Sequence, residues 1–317
     1  MRIFYFILGF FFCSSVLPAL AEEPPVSDWA NVEIVVVHGR FEGPAFWHVA
    51  KDGADVWIMG TLNPLPEGLY WNENRLKLTI TGARQVILPP VPDYGFVSTI
   101  WFALTRGGTM KLADGAKLDD VLPDDLRERF QAVRTAIGVP PDRYQRYKPV
   151  VAAVMLLNDF DKASKLLKNA WTPTVEDLAR EAHVKIRPIS ELGVIPLFRE
   201  MLDLPEPAGL NCFAGALRDI DNRRLHAVPA GEAWATGDIA GIKAHYLVSS
   251  TGKCIFDALG TDRVQVRAVD EVMAAINDAL AMPGKTVMLV DIGVLLRRRG
   301  VVEKLRTAGL RVEGPQD

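Results

Sequence analysis

Strand-forming runs near both ends of the chain, with a long helical stretch between them, constrain this fold most. Residues 45–50 and 55–60 are apolar and aromatic, and Lys51-Asp52-Gly53 between them has the chemistry of a tight hairpin turn. Near the other end, residues 286–290 form a continuous apolar run of strand length after the turn Met282-Pro283-Gly284-Lys285. A buried strand must pair its backbone N–H and C=O groups on both edges. The two ends are therefore expected to share one sheet. The expected class is α/β: a central mixed sheet formed from N- and C-terminal strands, with a largely helical middle segment acting as lid or insert.

Other segments fit this frame. Residues 33–37 are β-branched, and 99–104 are apolar. Residues 76–81 and 85–88 read as strand or buried helix, ending at Pro89-Pro90. Residues 61–71 read as loop, with Pro64, Pro66 and Gly68. Leu122, Leu126, Phe130, Val133 and Ile137 recur at helical spacing, with Asp119 and Asp120 as candidate starting caps. Thr172-Pro173 opens a helix with proline at its first turn. Helices are also expected over 150–157, 163–170, 197–202, 210–217, 239–248, 269–280 and 300–308. Gly309 then ends the last of these before a short strand at 310–312. Ser249-Ser250-Thr251-Gly252-Lys253 lacks the leading glycine spacing of a phosphate loop and reads as a helix-ending turn.

Composition bounds the function. The 317 residues are 49% hydrophobic and 24% charged, a globular balance, with a formal net charge of -3. That charge argues against nucleic acid as a partner, and Arg297-Arg298-Arg299 is short enough to be a solvated turn. Residues 1–21 have the pattern of a secretory signal peptide: Arg2, an apolar stretch over 3–12, and Ala19-Leu20-Ala21 before Glu22. An uncleaved anchor is the competing reading. A lipid anchor on Cys13 is disfavoured by bulky Phe12 before it. No later window is long and apolar enough to span a bilayer. Residues 22–44 are a lead-in, residues 45–313 the domain, and the expected location is periplasmic or secreted.

Cys212 and Cys254 remain after signal removal, as a disulfide or as two buried thiols. None of the histidines His38, His48, His183, His226 and His245 has a partner at metal-binding spacing. His48 reads as a core histidine, His38 as a loop residue after a strand, and His226 and His245 as packing or surface residues. Trp47, Trp57, Trp71, Trp101 and Tyr70 read as core aromatics or, alternatively, as the lining of a groove. No G-x-S-x-G elbow is present.

Three stretches resemble the TraB/GumN family. They are Phe46-Trp47-His48-Val49 through Val56-Trp57-Ile58-Met59-Gly60-Thr61-Leu62-Asn63; the helical middle, including Trp234-Ala235-Thr236-Gly237-Asp238; and Pro283-Gly284-Lys285 with residues 287–293 and 300–312. The family is regarded as metal-dependent proteases or hydrolases. The resemblance implies a divalent ion held by two Gly-x-x-His motifs, an acidic residue after an early strand, and a late Arg-Asn pair. Here Gly60 and Gly293 keep the glycines, but Asn63 and Leu296 stand where the histidines belong. Pro89 stands near the acidic position, and Arg267 is a shifted remnant of the Arg-Asn pair. Leucine and proline side chains offer no lone pair to a cation. The expectation is therefore a family member without hydrolysis or cofactor, binding an unknown peptide, glycan or envelope protein. The alternative is a hydrolase with an altered metal site that includes Asn63. Asn63 and Leu296 are expected to face each other across the sheet end.

Overall fold

The computed structural model describes residues 43–93, 107–113, 115–246, 248–258 and 263–315. The leader, most of the lead-in, His38, Trp101, the strand-like run at 33–37 and the apolar run at 99–104 lie outside these. The N-terminal hairpin is β1 (Phe46–Lys51) and β2 (Ala54–Thr61), with Trp47 opposite Ile58 and Lys51 opposite Ala54. Asp52 and Gly53 both have positive φ, 50° and 79°. A two-residue type I′ turn demands that geometry and Asp-Gly supplies it.

The chain continues through β3 (Leu65–Pro66), α1 (Asn74–Ile80), β4 (Gln85–Leu88) and β5 (Val91–Asp93). The helical middle holds α2 (Leu118–Val121), α3 (Asp124–Ala136), α4 (Pro149–Ala163), β6 (Leu166–Leu167) and α5 (Thr172–Glu181). It goes on with β7 (Lys185–Pro188), β8 (Glu191–Gly193), α6 (Val194–Leu202), α7 (Glu206–Ala235), α8 (Ile239–His245) and α9 (Ser250–Ala258). The end comprises α10 (Arg263–Leu280), β9 (Gly284–Asp291), α11 (Ile292–Leu296), α12 (Val301–Thr307) and β10 (Val312–Glu313).

The main sheet is mixed, in the order β10-β1-β2-β9-β4-β7. β2, β9, β4 and β7 run parallel, and β1 is antiparallel to both β2 and β10. The two ends of the chain therefore share a sheet. β7 is an addition from the middle: Lys185-Ile186-Arg187-Pro188 is polar and largely exposed, as an edge strand allows, so it carries no apolar pattern to announce it. β9 buries Val287, Met288, Leu289 and Val290, and β2 buries Ile58 and Met59. Burial on both faces explains these continuous apolar runs. Helices α1, α5, α10 and α12 cover the sheet with Leu76, Ile80, Val175, Leu178, Val272, Ile276, Val301 and Leu305. Each such side chain contributes roughly 1.5–3 kcal/mol on burial.

A second core lies among α3, α4 and α7. Phe130 meets Tyr144 and Phe213 edge-on, with ring centroids 5.7 and 5.4 Å apart. The Cys212 and Cys254 sulfurs are bonded, with Cα atoms 5.2 Å apart, tying α9 to α7.

Some local expectations are corrected. The helix expected from residue 122 starts at Asp124 after Pro123, and Asp119 and Asp120 lie in the first turn of the separate α2 without capping α3. Residues 249–253 begin a helix rather than end one. The Asp219 carboxylate accepts from the Ser250 and Thr251 backbone N–H groups at 2.6 and 3.0 Å, and from the Ser249 hydroxyl at 2.8 Å. This carboxylate satisfies N–H groups that a helix start leaves orphaned. The cap comes from a residue distant in sequence, so no local pattern reveals it.

Candidate functional site

Parallel strands direct their carboxyl ends to one edge, where α/β proteins place their ligands. β2 ends at Thr61 opposite Asp291 of β9, and β4 lies beside β9. Asn63, Pro89 and Leu296 all follow strands that end on this edge. The exposed Asn63 side chain accepts from the Asn169 backbone N–H at 2.6 Å. Leu296 is buried in the sheet core on α11, which begins directly after Asp291. Arg267 lies exposed on α10 and pairs with Glu271 one turn away, at 2.7 Å.

The two motif glycines serve packing. A Cβ at Gly60 would come within 2.8 Å of Ile292 and 3.0 Å of Trp47. The Gly60 carbonyl accepts from the buried Trp234 indole at 2.8 Å. A Cβ at Gly293 would fall on the Tyr246 hydroxyl.

That hydroxyl donates to Asp291, 3.3 Å away, and Asp291 also accepts from the Gly293 and Val294 backbone N–H groups at 2.9 and 3.2 Å. Asp291 is thus the cap of α11. Part of the residue reaches solvent, but dense protein around the carboxyl pushes its pKa up, against the opposing pull of those backbone N–H groups. Burial, then the Asp291 charge, pushes the Tyr246 hydroxyl up as well.

Beside this corner lies a cleft of about 170 Å³. Asn63 and Pro64 form one wall; Asn222, Arg223 and His226 of α7, with His245 and Tyr246, form the other. Arg223 is tied to the buried Asp161 of α4. His226 and His245 meet with their Nδ1 atoms 3.1 Å apart, one nitrogen donating and the other accepting. Among the described residues no group of three or more His, Cys, Asp or Glu is placed to hold a metal ion.

The other singled-out residues have structural surroundings. His48 is not in an apolar setting: it stacks on Trp57 at 4.2 Å between Asp55, 2.9 Å away, and Glu313, 3.4 Å away. Trp47 is buried, and Trp71 packs on Trp234 at 5.3 Å. Tyr70 is 85% exposed. Sequence reasoning missed Asp291, Tyr246, Asp219 and the meeting of His226 with His245. Asp291 carried a local signal, a short polar residue closing an apolar strand just before the next helix. The others come together only where α8 and α9 pack back against α7.

Fold and cleft together define an α/β protein with a polar recess at the carboxyl ends of its parallel strands. Residues 45–314 match the TraB/PrgY/gumN family, and the chain belongs to that family. No curated protein and no solved structure matches it. At the positions where the sequence resemblance would place the family's ion ligands, the side chains of Leu296 and Pro89 offer a divalent cation no lone pair, and the Asn63 side-chain oxygen accepts from the Asn169 N–H.

Proposed function

We propose that this protein is an exported, non-hydrolytic member of the TraB/PrgY/gumN family, which binds a polar ligand in the cleft between Asn63 and α7. The ligand class is a peptide end, a glycan or a group on an envelope protein. The observation that carries the reading is the donor chemistry of the sheet end. Hydrolysis by a bound ion needs several lone-pair donors around one open position. Here the positions assigned by family likeness hold an engaged amide, a proline and a buried leucine. Asp291, the carboxylate nearest the end of β9, is used as a helix cap.

Export is supported by the N-terminal pattern of residues 1–21 and by the Cys212–Cys254 disulfide, a bond that persists in oxidising compartments. Among the described residues no helix is long and apolar enough to cross a membrane.

One experiment tests both parts. The protein is expressed with its leader, recovered from the envelope fraction or medium, sequenced at its N-terminus, and assayed for peptide hydrolysis with Zn²⁺, Mn²⁺ or Co²⁺ added. A mature chain beginning at Glu22 and no turnover above buffer are expected. Recovery only inside the cell, with an intact leader, overturns the export reading. Metal-dependent turnover that disappears in Asn63→Ala overturns the non-hydrolytic reading.

A further inference from the structure

We infer that the cleft captures the C-terminal residue of a peptide, with Arg223 anchoring its carboxylate. This deepens the binding reading above and rests on it. The cleft wall is richer in free donors than in free acceptors. Arg223 donates to the buried Asp161 through Nη1, and its Nε and Nη2 have no partner among the described residues. The side chain is 18% exposed and lines the cleft, and neither nitrogen is sealed inside the protein. Asn222, next to it on α7, brings an amide with no partner among the described residues to the same wall. The Asn63 oxygen is taken by the Asn169 N–H, which leaves the Asn63 NH2 as a donor. His226 and His245 meet Nδ1 to Nδ1 at 3.1 Å, so the ring that accepts there carries its proton on Nε2. An ionised carboxylate only accepts, and such a wall suits it.

Charge selects a carboxylate over a phosphate. Arg223 bonds Asp161, and the Lys168 ammonium stands 4.0 Å from the same carboxylate. Two cations sharing one buried carboxylate leave one positive charge over. Asp219 also lines the cleft, but it accepts from the backbone at the start of α9, and that helix end offsets its charge. One surplus charge matches a carboxylate, whereas a phosphate monoester brings about −1.5 to −2.

Size and lining select the end of a peptide. Leu62, Pro64, Ala227 and Ala230 give the cleft an apolar part beside the donors. A short apolar side chain next to a carboxylate fits this division. A uronic acid does not, because hydroxyls surround its carboxylate and would lose their water against apolar lining. The volume of about 170 Å³ is the space of roughly six waters, enough for one end residue. Asp161 on α4 holds the guanidinium before anything binds, so little freedom is lost on capture.

The test is titration of the purified protein with N-acetyl-trialanine, its C-terminal amide and galacturonate, followed by NMR shifts of the Asn222 and Ala227 backbone amides. The peptide acid is expected to bind, with the amide and galacturonate each at least tenfold weaker. Arg223→Lys keeps a cation on Asp161 but withdraws the free guanidinium donors. It should weaken the acid at least tenfold and leave the amide unchanged. Unaltered affinity for the acid in this variant overturns the anchor. Equal binding of acid and amide by the wild type overturns carboxylate capture, and decides the matter even where the variant does not fold. Galacturonate binding more tightly than the peptide acid overturns the peptide assignment and leaves the binding reading standing. Failure of all three to shift the cleft amides overturns both the capture and the reading it rests on.

Discussion

Two partly buried carboxylates, one in each half of the molecule, meet opposite environments. Asp159 in the helical half accepts from the Arg143 guanidinium and, at 2.7 Å, from the Tyr144 hydroxyl. Burial pushes its carboxyl up, but these two hydrogen bonds and the Arg143 charge outweigh that and hold it below the ordinary carboxylate range. Asp291 at the sheet end has two backbone N–H groups and a neutral phenol, and burial prevails. The two regions differ in chemistry. The helical half gathers charged partners, as Arg143 with Asp159 and Arg223 with Asp161 illustrate. The sheet end is built for packing, and its polar groups are consumed in capping and tethering.

The largest effect is expected where the halves are joined. Trp234 is fully buried, and its indole donates to Gly60 at the end of β2. Trp234→Ala should cost about 3–5 kcal/mol in urea denaturation through the cavity and the orphaned carbonyl. A single transition would mean that the halves unfold together, whereas two transitions would break the picture of a shared clamp. Next in size is Asp219→Ala, expected to cost about 2 kcal/mol, since three donors lose their acceptor at the start of α9. Hydrogen exchange should show the loss concentrated in α9. Uniform loss across the sheet would contradict the assignment of this carboxylate to the helical half.

The smallest effect has the opposite sign. A raised carboxyl contributes stability below its unfolded value, about 3.9, and loses it as pH rises through the folded value. Asp291→Asn keeps the cap, because Asn serves there as well as Asp, and removes the enclosed charge. A gain of under about 1 kcal/mol is expected at neutral pH, vanishing toward pH 4, as read from thermal melts across that range. A loss at neutral pH would show the charge to be stabilised in the fold.

Much of the architecture was legible in the sequence because period and turn chemistry are local. Asp52-Gly53 specified the hairpin, Thr172-Pro173 the start of α5, and the apolar run of β9 its place inside the sheet. β7 was hidden because an edge strand needs no apolar pattern. The site was less legible. Asp219, His226 and His245 acquire their partners across the fold, and spacing within one helix says nothing of such meetings. Leu296 sits inward because α11 begins directly after Asp291, a turn set by a cap rather than by the glycine motif.

The β2–β9 pairing also sets an order of events. β1 and β2 can zip as soon as they leave the ribosome, but the next strand in the sheet is among the last segments made, since Ala54 lies opposite Gly284. Until then the inner edge of β2 has no neighbour. Contacts of such long sequence separation form slowly. The main sheet therefore cannot close until the last segments of the chain are made, and truncation before β9 should leave it unformed.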